Sequence, residues 1–122
     1  MPFVFVFLGG GFGSLCRYGI ARLMEPWETA FPYATLTANA LSCIVLGVLI
    51  ALAIKSELSE SVKLFAVVGF CGGFSTYSTF TKETWQLIEG GNLWLAAVHV
   101  IGNLIVCLAC LGMGLWVGRS FF

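Results

Sequence analysis

The chain has 122 residues, of which 59% are hydrophobic and only 10% charged, against about 25% charged in a soluble domain. Its mean hydropathy is +0.97 and its net charge zero, so the composition excludes a soluble domain and predicts an integral membrane protein. No basic patch suggests a nucleic-acid partner, and the length allows one small domain, residues 1–122.

A membrane-crossing helix needs about 20 mostly apolar residues. Four segments qualify, at about 2–24, 33–54, 62–88 and 93–118. The first carries Arg17 and Arg22 in its last third. Its start, "MPFVFVFLGGG", lacks the basic opening and cleavage site of a signal peptide and reads as a first span. The second has no charge. The third is charge-free from Leu64 to Thr81. The fourth has no charged residue, and His99 lies near its start. "EPWETAFP" (25–32), "KSELSESVK" (55–63) and "EGGNLW" (89–94) read as short connections, the last with glycines to end one helix and Asn92 to cap the next. Trp27, Tyr33, Trp85, Trp94 and Trp116 fall near span ends, where interfacial aromatics sit.

Four spans place both termini on one side of the membrane. That side, with the second connection, holds Lys55, Lys63 and Arg119; the other holds Arg17, Arg22 and Lys82. Three against three gives no preferred orientation. A chain so balanced is able to insert both ways, and oppositely inserted copies can pair about an axis in the membrane plane. Gly9 and Gly13, and again Gly114 and Gly118, give small faces for close helix packing.

Polar groups inside the spans carry the functional signal. Thr35, Asn39 and Ser42 share one face of the second span; Asn103, Cys107 and Cys110 repeat the spacing on the fourth. Cys16, Cys43, Cys71, Cys107 and Cys110 lie in apolar runs without zinc-site spacing and read as reduced small residues. In "GFCGGFSTYSTF" (69–80), three glycines precede a row of hydroxyls. Two readings stand: a helix broken at Gly72-Gly73 that frees backbone carbonyls, or an unbroken helix with packing glycines and back-bonded hydroxyls. Tyr77 and Phe80 share a face, and their ring edges are positive. Ser75, Thr76, Ser78 and Thr79 are uncharged donors. Arg17 either draws anions into a vestibule or extends to headgroups. Glu83 either lines a vestibule or pairs with a lysine. His99 has no obvious acidic partner and reads as packed.

"GFCGGFSTYSTF" resembles the G-x-C-G-G-[LF]-[ST]-T-F-S-T-F motif of the CrcB/Fluc fluoride channels. "GGGFGSLCRY" is similar to that family's Gly-rich start, and "TLTANALSC" to its T-L-x-x-N pattern. The resemblance covers essentially the whole chain. It implies a passive, fluoride-selective channel, not an enzyme, that exports cytoplasmic fluoride across the inner membrane and gives fluoride resistance. The implied fold is all-α: four transmembrane helices with a broken third, in an antiparallel dual-topology homodimer with two pores and a central structural sodium ion. The residues carried over are Asn39, Tyr77, Phe80, Ser78, Thr79, Asn103 and Cys107 for the fluoride pore. Arg17, Thr35 and Glu83 would lie at the vestibules, and the backbone carbonyls of Gly72 and Ser75 would hold sodium. Three positions depart from the pattern: Tyr77 replaces the usual Phe, Cys107 a Ser or Thr, and Ser42 a frequent Gly. Among rival classes, a small multidrug exporter needs a carboxylate in the first span, and Pro2–Met24 has none. A non-conducting scaffold subunit would explain the packing glycines but not the third-span motif.

Overall fold

The computed structural model describes residues 1–27, 29–55 and 58–121, so Glu28 of the first connection, Ser56 and Glu57 of the second, and Phe122 lie outside the described residues. All regular structure among the described residues is helical. Helix α1 (Pro2–Leu23) starts with proline in its first turn, where the missing N–H costs nothing. Helix α2 (Tyr33–Lys55) and the last helix, α5 (Leu93–Phe121), are the other two long apolar rods. These three are long and apolar enough to cross a membrane.

The third segment is in pieces. Helix α3 (60–74) opens as a short α-turn, Glu60–Val62, capped by the Ser59 hydroxyl accepting from Val62 N at 3.2 Å. It then winds wide, with i→i+5 bonding, over Lys63–Cys71, and closes with the α-turn Gly72–Phe74. Helix α4 (Tyr77–Glu89) follows. It ends in a Schellman motif: Gly91 sits at φ +79°, Asn92 N reaches Leu87 O at 2.9 Å and Gly91 N reaches Ile88 O at 3.1 Å. The expected glycine stop is therefore present.

Two intimate parallel helix pairs organise the chain: α1 with α3, and α2 with α5. In lipid no hydrophobic force drives helices together, so close backbone approach has to do so. Gly9 and Gly13 provide it in the first pair. A methyl on Gly9 would fall on the Phe65 carbonyl, and one on Gly13 on the Phe70 carbonyl. On α1 the step is four residues; on α3 it is five. The wide winding of α3 is what aligns Phe65 and Phe70 with that seam. In the second pair, a methyl on Gly47 would strike the Leu111 carbonyl, and one on Gly114 the Ile44 carbonyl. Both small-residue faces expected from sequence are thus seams of closest contact. The five aromatics expected near span ends are all exposed.

The pairing of α2 with α5 has a constant register. Asn39 bonds Asn103, and Lys55 Nζ donates to Arg119 O, each pair 64 residues apart. Thr35 and His99, with the same separation, both reach Glu83. Helix α4 leans on α5 near its start and brings Glu83 there.

Candidate functional site

The sequence left two readings of the third segment, and the structure settles them with a correction. The helix does break, but not at Gly72-Gly73. Gly72 is helical, at φ −62° and ψ −43°. The chain leaves the helix at Ser75 (φ −72°, ψ 157°) and Thr76 (φ −131°, ψ 37°). Helix geometry resumes when Phe80 N reaches Thr76 O at 2.7 Å. Gly73 serves packing instead: a methyl on it would strike the Gly10 carbonyl, whereas one on Gly72 would meet open space.

A helix end leaves carbonyls without internal partners, and side chains meet two of them here. Ser75 Oγ donates to Gly72 O at 3.0 Å, and Arg17 Nε donates to Gly73 O at 3.4 Å. The half-buried Arg17 is therefore turned to the break, not out to headgroups. Gly72 and Ser75 are exposed on the single chain.

From this break a string of polar groups runs between the apolar helices. Thr76 Oγ1 donates to Asn39 Oδ1 at 2.7 Å. Asn39 Nδ2 donates to Asn103 Oδ1 at 3.0 Å. Asn103 Nδ2 donates to His99 O at 2.7 Å and lies 3.0 Å from His99 Nδ1. His99 Nε2 is 3.6 Å from Glu83 Oε1, which also accepts from Thr35 Oγ1 at 2.6 Å. His99 is fully buried; Thr35, Thr76 and Asn103 are nearly so. Most of these buried groups satisfy one another; His99 Nε2, facing Glu83, is the buried side-chain atom among the described residues without a hydrogen bond.

The expectation that His99 lacks an acidic partner is corrected: Glu83 supplies one from α4, and His99 joins the string. Sequence spacing carried no sign of it, because the partner lies on another helix. Thr76 was one hydroxyl in a row of five, and only the break turns it towards Asn39.

Beside the string runs a groove of about 430 Å³, lined by Asn39, Thr76, Tyr77, Phe80, Asn103 and Cys107 among others. The Tyr77 and Phe80 rings stand 6.0 Å apart, tilted by 55°, and the Phe80 ring lies 4.7 Å from His99. Tyr77 is 80% exposed. One turn beyond the Asn39–Asn103 rung, Cys43 and Cys107 form the next rung at the same offset of 64 residues, and both border the groove. Ser42, on the same face as Asn39, directs its hydroxyl to Cys71 O at 3.5 Å. Ser78 and Thr79 do not border this groove. A second depression, about 300 Å³, lies between Thr29, Pro32, Glu83, Gln86 and Asn92 at the Glu83 end of the string.

The sequence profile of the CrcB-like protein, Camphor Resistance (CrcB) family matches residues 4–115. The chain belongs to the CrcB family. Among its relatives is the Fluoride-specific ion channel FluC of Geobacter sp. (strain M21), 36% identical over 119 residues, which cover 96% of each chain. A protein of the same description from Chloroflexus aurantiacus (strain J-10-fl) is 40% identical over 118 residues, 91% of this chain and 93% of its own. A third, from Phocaeicola vulgatus, is 33% identical over 115 residues. The CrcB match spans both helix pairs, the break and the polar string.

Proposed function

We propose that this chain is a passive, fluoride-selective channel of the inner membrane that lets fluoride leave the cell. The observation that carries the reading is the polar string from Thr76 through Asn39 and Asn103 to His99, whose Nε2 comes within 3.6 Å of the Glu83–Thr35 pair, laid between apolar helices. The relatives named above are described as fluoride-specific ion channels, not enzymes, which supports it.

Fluoride is small and tightly hydrated, so its passage needs donors close at hand. Asn39 Nδ2 carries two N–H groups, and the Asn103 bond uses one. The other is a donor on the groove wall. The Phe80 edge adds a weakly positive surface. None of these groups is charged, so none traps the ion. Thr35 and Glu83 belong to an approach, whereas Arg17 is turned to the break at Gly73. Cys107 extends the donor track along the groove, and Ser78 and Thr79, which do not border it in the single chain, would join the track only once a second copy is seated.

The working unit in this reading is an antiparallel homodimer with two pores. A single chain leaves the groove open on one side, and among the described residues His99 is the only large side chain that is fully buried. A second copy supplies the missing wall, and the balanced Lys/Arg tally allows that copy to insert upside down. The exposed break at Gly72 and Ser75 would then face its counterpart. Carbonyl oxygens are hard donors suited to a sodium ion. The residues fit such an ion: the break frees helix-terminal carbonyls, and Gly72 O keeps a second lone pair beside the Ser75 hydroxyl. Two carbonyls from each copy would hold sodium, whose positive charge offsets part of the cost of an anion at mid-membrane.

The test is fluoride release from liposomes loaded with potassium fluoride, read by a fluoride electrode. Rapid efflux without added energy, and no chloride efflux, is expected. Equal chloride and fluoride rates would overturn the reading.

A further inference from the structure

We propose that Cys43 and Cys107 form a two-thiol binding site for a soft, thiophilic metal cation within the groove. Three observations meet here. The two cysteines stand on facing rungs of the same parallel register that pairs Asn39 with Asn103 and sets Gly47 against Leu111, so α2 and α5 hold them opposite each other. Both border the groove, so an ion in it reaches them. Both are free thiols.

The ligand set selects the metal. Among the described residues no three His, Cys, Asp or Glu side chains converge on one point. Zinc takes four ligands in structural sites and three protein ligands in catalytic ones. Two sulfurs alone suit a soft ion content with linear coordination, the class of mercuric, silver and cuprous ions. Thiolates are the ligands. As the two sulfur–metal bonds form, each S–H proton passes to water. No electron is transferred, so no oxidant is needed, and a mercuric bis-thiolate is neutral. The other thiols are placed differently. Cys16 is exposed on α1, and Cys71 is buried; Cys110 lies on the same helix as Cys107 and does not border the groove.

A metal held there would sit one helical turn from the asparagine rung and plug the groove. This second half rests on the channel reading; the binding half does not.

The experiment uses the intact purified protein and mercuric chloride at one equivalent per chain, followed by a wash with a monothiol competitor. Mercury retained is measured by elemental analysis, and the free thiols left are counted in the unfolded protein. The wild type is expected to keep the metal and lose two thiols. Cys43→Ser and Cys107→Ser are each expected to lose the metal in the wash, whereas Cys16→Ser, Cys71→Ser and Cys110→Ser keep it. Retention by either groove variant at the wild-type level, or none by the wild type, overturns the site. In liposomes the bound metal should abolish fluoride flux, and a dithiol should restore it. Mercury retained with flux unchanged overturns the plug. No fluoride flux before any mercury is added refutes the channel reading, and the retention result still judges the thiol pair.

Discussion

Asn39 is the joint of the polar string, and Asn39→Asp tests it with nearly unchanged shape. The amide makes two bonds: it accepts from Thr76 at 2.7 Å and donates to Asn103 at 3.0 Å. A carboxylate keeps the first and destroys the second, setting oxygen against oxygen. Losing that bond with Asn103 nearly buried costs about 1–3 kcal/mol. The new charge acts separately on the ion. At a separation of about 4 Å and an effective dielectric constant near 20, like charges repel by about 4 kcal/mol. Since about 1.4 kcal/mol is a factor of ten in rate, fluoride flux should fall on the order of a thousandfold. Asn39→Leu removes the hydrogen bonds without the charge, and should fall less. The assay is the initial rate of fluoride efflux from liposomes, with size-exclusion profiles checking that each variant keeps its assembly. Flux for Asn39→Asp within about tenfold of wild type, in protein of normal size, would refute placing Asn39 beside the ion path, because a repulsion of about 4 kcal/mol would be missing.

Phe80→Ile removes ring contacts with both Tyr77 and His99; fluoride efflux should drop severely while the oligomer stays intact on size exclusion. Gly114→Val drives a side chain into the Ile44 carbonyl, so thermal unfolding of the detergent-solubilised protein should occur earlier, by about 1–3 kcal/mol of stability. His99→Ala strips the string of its buried link to Glu83 and opens a cavity beside Phe80, and should lower both fluoride flux and melting temperature. A reporter fused at the C-terminus should give signal on both sides of the membrane, whereas signal on one side alone would end the oppositely inserted pair.

Much of this architecture was legible along the chain, because each legible part depends on one helix at a time. Hydropathy placed α1, α2 and α5 within a few residues of their ends. Four-residue spacing marked Gly9 with Gly13 and Gly114 with Gly118 as seams. The same spacing put Asn39 on one polar face and Asn103 on another. What periodicity does not encode is which residue on one helix meets which on the next. The link between Glu83 and His99 was therefore invisible, as was the aim of Arg17 at Gly73. The break was misplaced for a related reason. Gly72-Gly73 offers the freedom to leave a helix, yet the missing side chain of Gly73 is used to let α1 approach, and the turn falls two residues later where the Ser75 hydroxyl meets the Gly72 carbonyl.

The steady offset of 64 between α2 and α5 makes those two rods behave like meshed racks. Gly47 and Gly114 seat each backbone in the other's notch, so a small slide of one rod is blocked until it clears a whole tooth, about 5.4 Å in an α-helix. Sliding by one tooth would bring Asn39 opposite His99 or Cys107 instead of Asn103. The height of the ion's donors is thus indexed by notches about two to three turns away, and filling one notch would detune the distant amides without touching them.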